Sequence, residues 1–349
     1  MPGSAVGHAP PSSPGSGVGR WRRDSQALYH GIPVTLAACG CTDGVWDDAW
    51  QLLSDADGVF NRFAADSEIS CLAGLPNADG AQLSPLLALG VRAALRALHM
   101  TRGAADASVR PLVALWRHAV AAQEWPDAAA IAHARAECRL ADAEVDDADR
   151  LRVDGSAWVA DLDLGGVVKG VLVDLVAQRF AAAGVDDFLV QIGGETTVRG
   201  LSPTGGRWRI GVQHPLVGDA VWVVLVAPVA GLSCSTSADY RRGWTIAGVP
   251  VSHLIDPRSG LPASADLLTA HIAMAGWGRC GDAEALTKAL ALLARDEADV
   301  AVRAVGGEWL HLDVEEDALV ETRSYGFAAF TDAGSGADSP AGPAAAASA

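Results

Sequence analysis

The run DLDLGGVVKGVLVDLV, residues 161–176, is where two periodicities meet. Before it, LRVDGSAWVADLDL (151–164) alternates as a strand does; after it, VVKGVLVDLVAQRFAAAG (167–184) has helical apolar spacing closed by Gly184. A helix beginning at Gly166 presents free N–H groups and a positive dipole end at that junction, with Asp163 just before it and Lys169 in its first turn. A phosphate or diphosphate suits such a place. The run is not a Walker loop, because that motif spaces four residues between its glycines and ends in Gly-Lys-Ser/Thr. Read as structure alone, Lys169 is a solvent-facing lysine and Asp163 a capping residue.

On either side of the junction the chain changes character. The preceding 150 residues read mostly as helix: GVWDDAWQLLSDADGVFNRF (44–63), SPLLALGVRAALRALHMT (84–101), the Gly-rich turn and helix of GAADASVRPLVALW (103–116), and PDAAAIAHARAECR (126–139), with one strand through ALYHGIPVTLAACG (27–40). The following half reads as strands between Gly and Pro turns, interrupted by helices at the junction, through CGDAEALTKALALLA (280–294) and through DEADVAVRAVG (296–306). The expected class is α+β: mixed sheets flanked by helices, a helical N-terminal half and a strand-rich C-terminal half. Residues 1–25 and 332–349 are low in complexity and are expected to be disordered, leaving 26–331 as the folded domain.

The 349-residue chain is half hydrophobic and carries a net charge of −16, with a pI near 4.8. That balance excludes a phosphate-backbone binder, so no nucleic-acid partner is expected. No window is long and apolar enough to span a bilayer, and no signal-like apolar run opens the chain, so membrane insertion is not expected and a cytoplasmic location is. The six cysteines are scattered apart from Cys39 and Cys41, which without a second pair make no zinc site. GSGVGR (15–20) follows no strand and is linker.

Two further runs concentrate polar groups at strand ends. VSHLIDPRSGLP (251–262) gathers His253, Asp256 and Arg258, either a base with a carboxylate and a cation or a turn capped by Asp256. QIGGETTVRG (191–200) and LSCSTSADYRRGW (232–244) offer backbone N–H and hydroxyl donors to an oxyanion, as ordinary turns also do.

Taken together and in order, DLGGVVKGVLVD, QIGGE, WRIGVQHP, STSADY and HLIDPRSGLP resemble the ApbE family of FAD:protein FMN transferases, and VFNRFAADSEISCL and GAADASVRPLVALW resemble its opening segments. The resemblance runs from about Ala27 to Leu319. It implies an enzyme that takes FAD as substrate, lets a threonine hydroxyl of an acceptor protein attack the FMN phosphorus, and releases AMP, with magnesium at the diphosphate. It also implies FAD contacts at His30, Phe63, Ala104, Ala105, Asp106, Asp163, Lys169 and Ile255, and His253 as general base. Metal contacts are implied at Gly166 and on the helix carrying Glu284, Thr287 and Lys288. FAD pyrophosphate hydrolysis, or flavin binding without chemistry, are the other functions this pattern admits.

The departures are as informative as the matches. His30-Gly31-Ile32 stands where the family opens Met-Gly-Thr, the bulkier residue usual at Ala105 is missing, and Ala238 replaces a glycine. In AEALTKAL (283–290) the family's aspartate and threonine, four apart, are Glu284 and Lys288. A protonated lysine cannot ligate magnesium. Either the two form a surface i, i+4 pair, or both face the site and the ammonium replaces part of the cation's charge. No acceptor run of the Ser-Gly-Ala-Thr kind occurs, so self-flavinylation is not expected; SGAD at Ser335 is the nearest.

Overall fold

The computed structural model describes residues 19–28, 31–72, 80–153, 162–218, 220–238, 244–264, 266–315 and 318–332. It opens with the hairpin β1 (Trp21–Leu28) and β2 (Ile32–Cys39), then the helical part: α1 (Asp43–Phe60), α2 (Glu68–Leu72), β3 (Ala81–Gln82), α3 (Pro85–Met100), α4 (Arg110–Ala122) and α5 (Ala128–Ala136). Next come the short strands β4 (Ala143–Val145) and β5 (Arg150–Val153), a 3₁₀ turn at Leu164–Gly166 and α6 (Val168–Ala182). Strands dominate after that: β6 (Phe188–Ile192), β7 (Glu195–Arg199), β8 (Arg209–Gln213), β9 (Val221–Val226), β10 (Leu232–Ala238), β11 (Trp244–Ile246), β12 (Val249–Val251) and β13 (Leu267–Ala275). The chain continues through α7 (Cys280–Leu292), α8 (Arg295–Ala304), β14 (Gly307–Glu315), β15 (Ala318–Arg323) and a 3₁₀ segment at Tyr325–Phe330. This is the α+β class with the asymmetry between halves that the sequence leads one to expect.

An eight-stranded antiparallel sheet in the order β1-β2-β6-β7-β10-β13-β14-β15 is the frame. Its strands alternate faces, so each carries two sets of side chains. One face packs on α6 and α7, burying Ala270, Ile272 and Met274 of β13 against Ala283, Leu286 and Ala289 of α7. The other face meets the β8–β9 hairpin and the last 3₁₀ segment through Val198, Leu225, Leu310 and Phe327. Helices α1 and α3 cover α6, burying Trp46, Leu53, Leu87, Leu172 and Phe180 together. Their starts follow the usual rule: Thr42 and Ser84 each accept a backbone N–H of the first turn, and Pro85 opens α3.

Three local expectations are corrected. Residues 21–25, placed with the disordered leader, open β1, and what reads as one strand over 27–40 is the turn and second arm of a hairpin in which Ala27 pairs with Pro33. The strand leading to His253 ends at Val251, and beyond it only an isolated bridge joins Ile255 to Pro262. The helix at the junction begins at Val168, after the 3₁₀ turn, not at Gly166. The tail from 333 and His30 lie outside the described residues.

Candidate active site

The junction is built by the close crossing of α6 and α7. A Cβ on Gly170 would lie 2.4 Å from the Cys280 carbonyl oxygen and 2.7 Å from Gly281 Cα, so only glycine lets the two backbones approach this far. Asp174, one turn further along α6, accepts the Cys280 and Gly281 N–H groups at 2.8 and 2.9 Å and caps α7, whose own N-cap residue, Arg279, makes no side-chain cap bond. Burial raises the Asp174 carboxyl to about 7, the two N–H bonds opposing the shift.

This crossing aims α7 at the start of α6. Glu284 is fully buried; one carboxylate oxygen accepts the Lys169 ammonium and the other accepts Gly170 N–H at 2.8 Å. Lys169 also donates to the Gly165 carbonyl at 3.2 Å and lies 3.4 Å from Glu195. Glu195 is the first residue of β7, after the tight Gly193-Gly194 turn with Gly193 at φ 60°, and its side chain is buried beneath α7. One of its oxygens is 3.3 Å from the Ser235 hydroxyl, while Oε2 is buried with no hydrogen-bond partner among the described residues. Burial lowers the Lys169 pKa but the two carboxylates outweigh it, so the net shift is upward, and burial raises Glu195 despite Lys169.

Lys288 is not the outer half of a surface pair. Its ammonium donates to the Glu284 carbonyl at 3.1 Å, and a Cβ on Gly166 would be 3.5 Å from its Cε and 3.9 Å from its Nζ. The lysine therefore lies over the Gly165–Gly166 backbone, and both Glu284 and Lys288 are turned inward rather than forming a surface pair. Burial lowers its pKa, helped by the Lys169 charge.

The same turn gathers other expected residues. Asp163 accepts Gly165 N–H at 3.0 Å and pairs with Arg62 at 2.9 Å, and its own N–H donates to the Ala107 carbonyl at 2.7 Å. That bond ties the 103–108 loop to the junction. Arg62 in turn stacks on Phe63, 4.6 Å from the ring centroid, and Phe63 is 64% exposed. Within the loop, Ala105 N–H is held by Thr101, and Asp106 accepts the Ser108 N–H and hydroxyl at 2.8 and 2.6 Å. The Asp106 side chain thus shapes the loop, and burial raises its pKa. Arg258, paired with Asp256, packs against Gly103, which brings the 251–262 segment to this loop. Ala104 and Ile255 are buried, so neither presents a side chain at the surface of the site. His253 is half-buried two residues before Ile255.

As a magnesium site, the set Gly166, Glu284, Thr287 and Lys288 does not fit. Magnesium wants oxygen donors in an octahedron. Both Glu284 oxygens hold N–H donors, the Thr287 hydroxyl is turned to the Glu284 carbonyl at 2.7 Å, and Lys288 brings a positive charge. Among the described residues no group of three or more His, Cys, Asp or Glu could hold a metal ion.

Sequence reasoning passed over Glu195, Arg62 and Asp174. Glu195 and Asp174 stand in quoted runs, but only the strand register and the helix crossing show what they face.

The model of the ApbE family matches residues 30–307. Among curated proteins, the chain is 30% identical over 217 residues to the FAD:protein FMN transferase of Vibrio cholerae serotype O1, covering 61% of this chain and 63% of that one. It is 32% identical over 182 residues to the enzyme of the same name from Klebsiella pneumoniae, covering 51% and 52%. These alignments thus span about half to two thirds of the relatives' length. Among solved structures, the apo flavinyl transferase ApbE of Pseudomonas stutzeri superposes with a TM-score of 0.75 at 25% identity, covering 91% of this chain and 98% of that one.

Proposed function

We propose, from the premise that this chain belongs to the ApbE family, that it is an FAD:protein FMN transferase. In this reading it moves FMN from FAD to a threonine of a cytoplasmic acceptor flavoprotein and releases AMP. The observation that carries the proposal is the convergence of two ammonium groups, Lys169 and Lys288, on the Gly165–Gly166 turn at the start of α6. Cations and N–H groups gathered there favour a diphosphate, and they favour it more as charge builds on the departing phosphate.

The chemistry is a displacement at phosphorus. The threonine oxygen forms a bond to the FMN phosphorus, the bond to the AMP oxygen breaks, and the threonine proton passes to the base. His253 is assigned that role, imidazole being the side chain that most often accepts a proton in such a step. Phe63 offers a stacking face to the flavin or adenine ring, and the 104–106 backbone and Asp163 fix the nucleotide. No step is routed through a metal.

The test is to incubate the full chain with FAD and a threonine-bearing flavoprotein, following AMP and covalent flavin on the denatured acceptor. Both are expected, and His253→Ala is expected to abolish both while leaving FAD bound. AMP without acceptor labelling would instead identify a pyrophosphatase, and bound FAD without AMP a flavin carrier.

A further inference from the structure

We propose that the Lys288 ammonium occupies the place of a divalent cation at the Gly165–Gly166 turn and neutralises the substrate diphosphate itself, so that this chain binds FAD without magnesium. The inference rests on the flavin-transferase reading and goes beyond it in assigning the charge at the reacting phosphates to a side chain.

The geometry points this way from several sides. Lys288 Nζ is aimed over Gly166 and satisfied by one helix carbonyl, and among the described residues no carboxylate lies within ion-pair distance of it. Lys169 differs: it is held by Glu284, by Glu195 and by the Gly165 carbonyl. Of the two cations at the turn, Lys288 is the one whose charge is left for an incoming anion. Asp163, the nearest carboxylate on the turn, is engaged by Arg62 and Gly165 N–H.

The same arrangement opposes a metal. A divalent ion above Gly166 would meet the Lys288 charge at close range in a half-buried site, where like charges repel strongly. Glu284, the one carboxylate on the facing side of α7, would have to abandon both Lys169 and Gly170 N–H to ligate it, leaving Glu195 at 3.4 Å as the carboxylate holding that ammonium. Lysine is a common phosphate partner as a point charge, and needs no coordination shell to act.

The experiment measures FAD binding to the full chain by quenching of flavin fluorescence, once in EDTA and once in millimolar magnesium, for the wild type, Lys288→Met and Lys288→Arg. The wild-type Kd is expected to agree within about twofold between buffers. Lys288→Met is expected to bind about tenfold or more weakly in EDTA, the loss typical of a charged hydrogen bond, and Lys288→Arg to recover part of it. Magnesium-dependent tightening of the wild type by about tenfold, or Lys288→Met binding as the wild type does, overturns the lysine assignment and leaves the flavin reading standing. Failure of a cooperatively folded wild type to bind FAD in either buffer overturns both. The wild-type comparison needs no variant, so a substitution that fails to fold does not protect the proposal.

Discussion

The two faces of the central sheet each bury a polar cluster, and the two clusters are finished differently. On the face away from α7, His271 is held between Thr236 at 2.8 Å and Thr269 at 2.9 Å, both ring nitrogens partnered. On the α7 face, Lys169, Glu195, Glu284 and Lys288 share a few bonds unequally, with Glu195 Oε2 unpartnered among the described residues and Lys288 turned to the Gly166 backbone. Burying an ionised group is costly unless it is fully paired, so a fold selected only for stability would build the first kind and avoid the second.

The largest effect should come from breaking the charged cluster. Glu284→Ala leaves the Lys169 ammonium with Glu195 at 3.4 Å and strands the Gly170 N–H, and is expected to cost about 3 kcal/mol in urea unfolding, the lower end of the range for one partner removed from a buried pair. A cost under about 1 kcal/mol would mean that the cluster is solvated like a surface pair, and the contrast between the faces would collapse.

A smaller effect with a distinct pH signature belongs to the other face. Burial, helped by the neighbouring His311, lowers His271 to about 3. The unfolded chain takes up a proton below its ordinary pKa of about 6.5 while the folded chain does not until about 3, so this contribution is present above 6.5 and is lost as pH falls through that window. His271→Gln is expected to cost about 1 kcal/mol at neutral pH, with the gap to the wild type closing and then reversing sign as pH falls from 6.5 to 4. A gap that is constant with pH would show that His271 titrates normally in the fold.

How much of this was legible in the sequence follows the same division. Elements whose apolar period is clean, such as α3, α4 and α8, stand close to where the pattern puts them, because burial on one side dictates the period. The first strand, WRRDSQAL, does not announce itself: it is an edge strand, paired on one side only, and edge strands carry charge that hides the alternation. In the site, the junction was readable from the change of period and the inward option for Lys288 from the family resemblance, spacing alone favouring a surface pair. Glu195 was not singled out, because Gly-Gly-Glu reads as a turn until the register shows that residue 195 opens a strand facing α7. The magnesium expectation came from the family pattern. Here the i, i+4 spacing that would present two oxygen donors presents a carboxylate bonded to Lys169, and an ammonium.

The most direct measurement is a crystal structure of the full chain soaked with FAD in EDTA. The diphosphate is expected over the Gly165–Gly166 turn, within hydrogen-bond distance of the Lys288 ammonium and with no metal between them, and an aromatic ring of the dinucleotide against Phe63. FAD bound elsewhere on the molecule, or a diphosphate seated at the turn with Lys288 swung away from it, would contradict the assignment of this charge cluster as the diphosphate site.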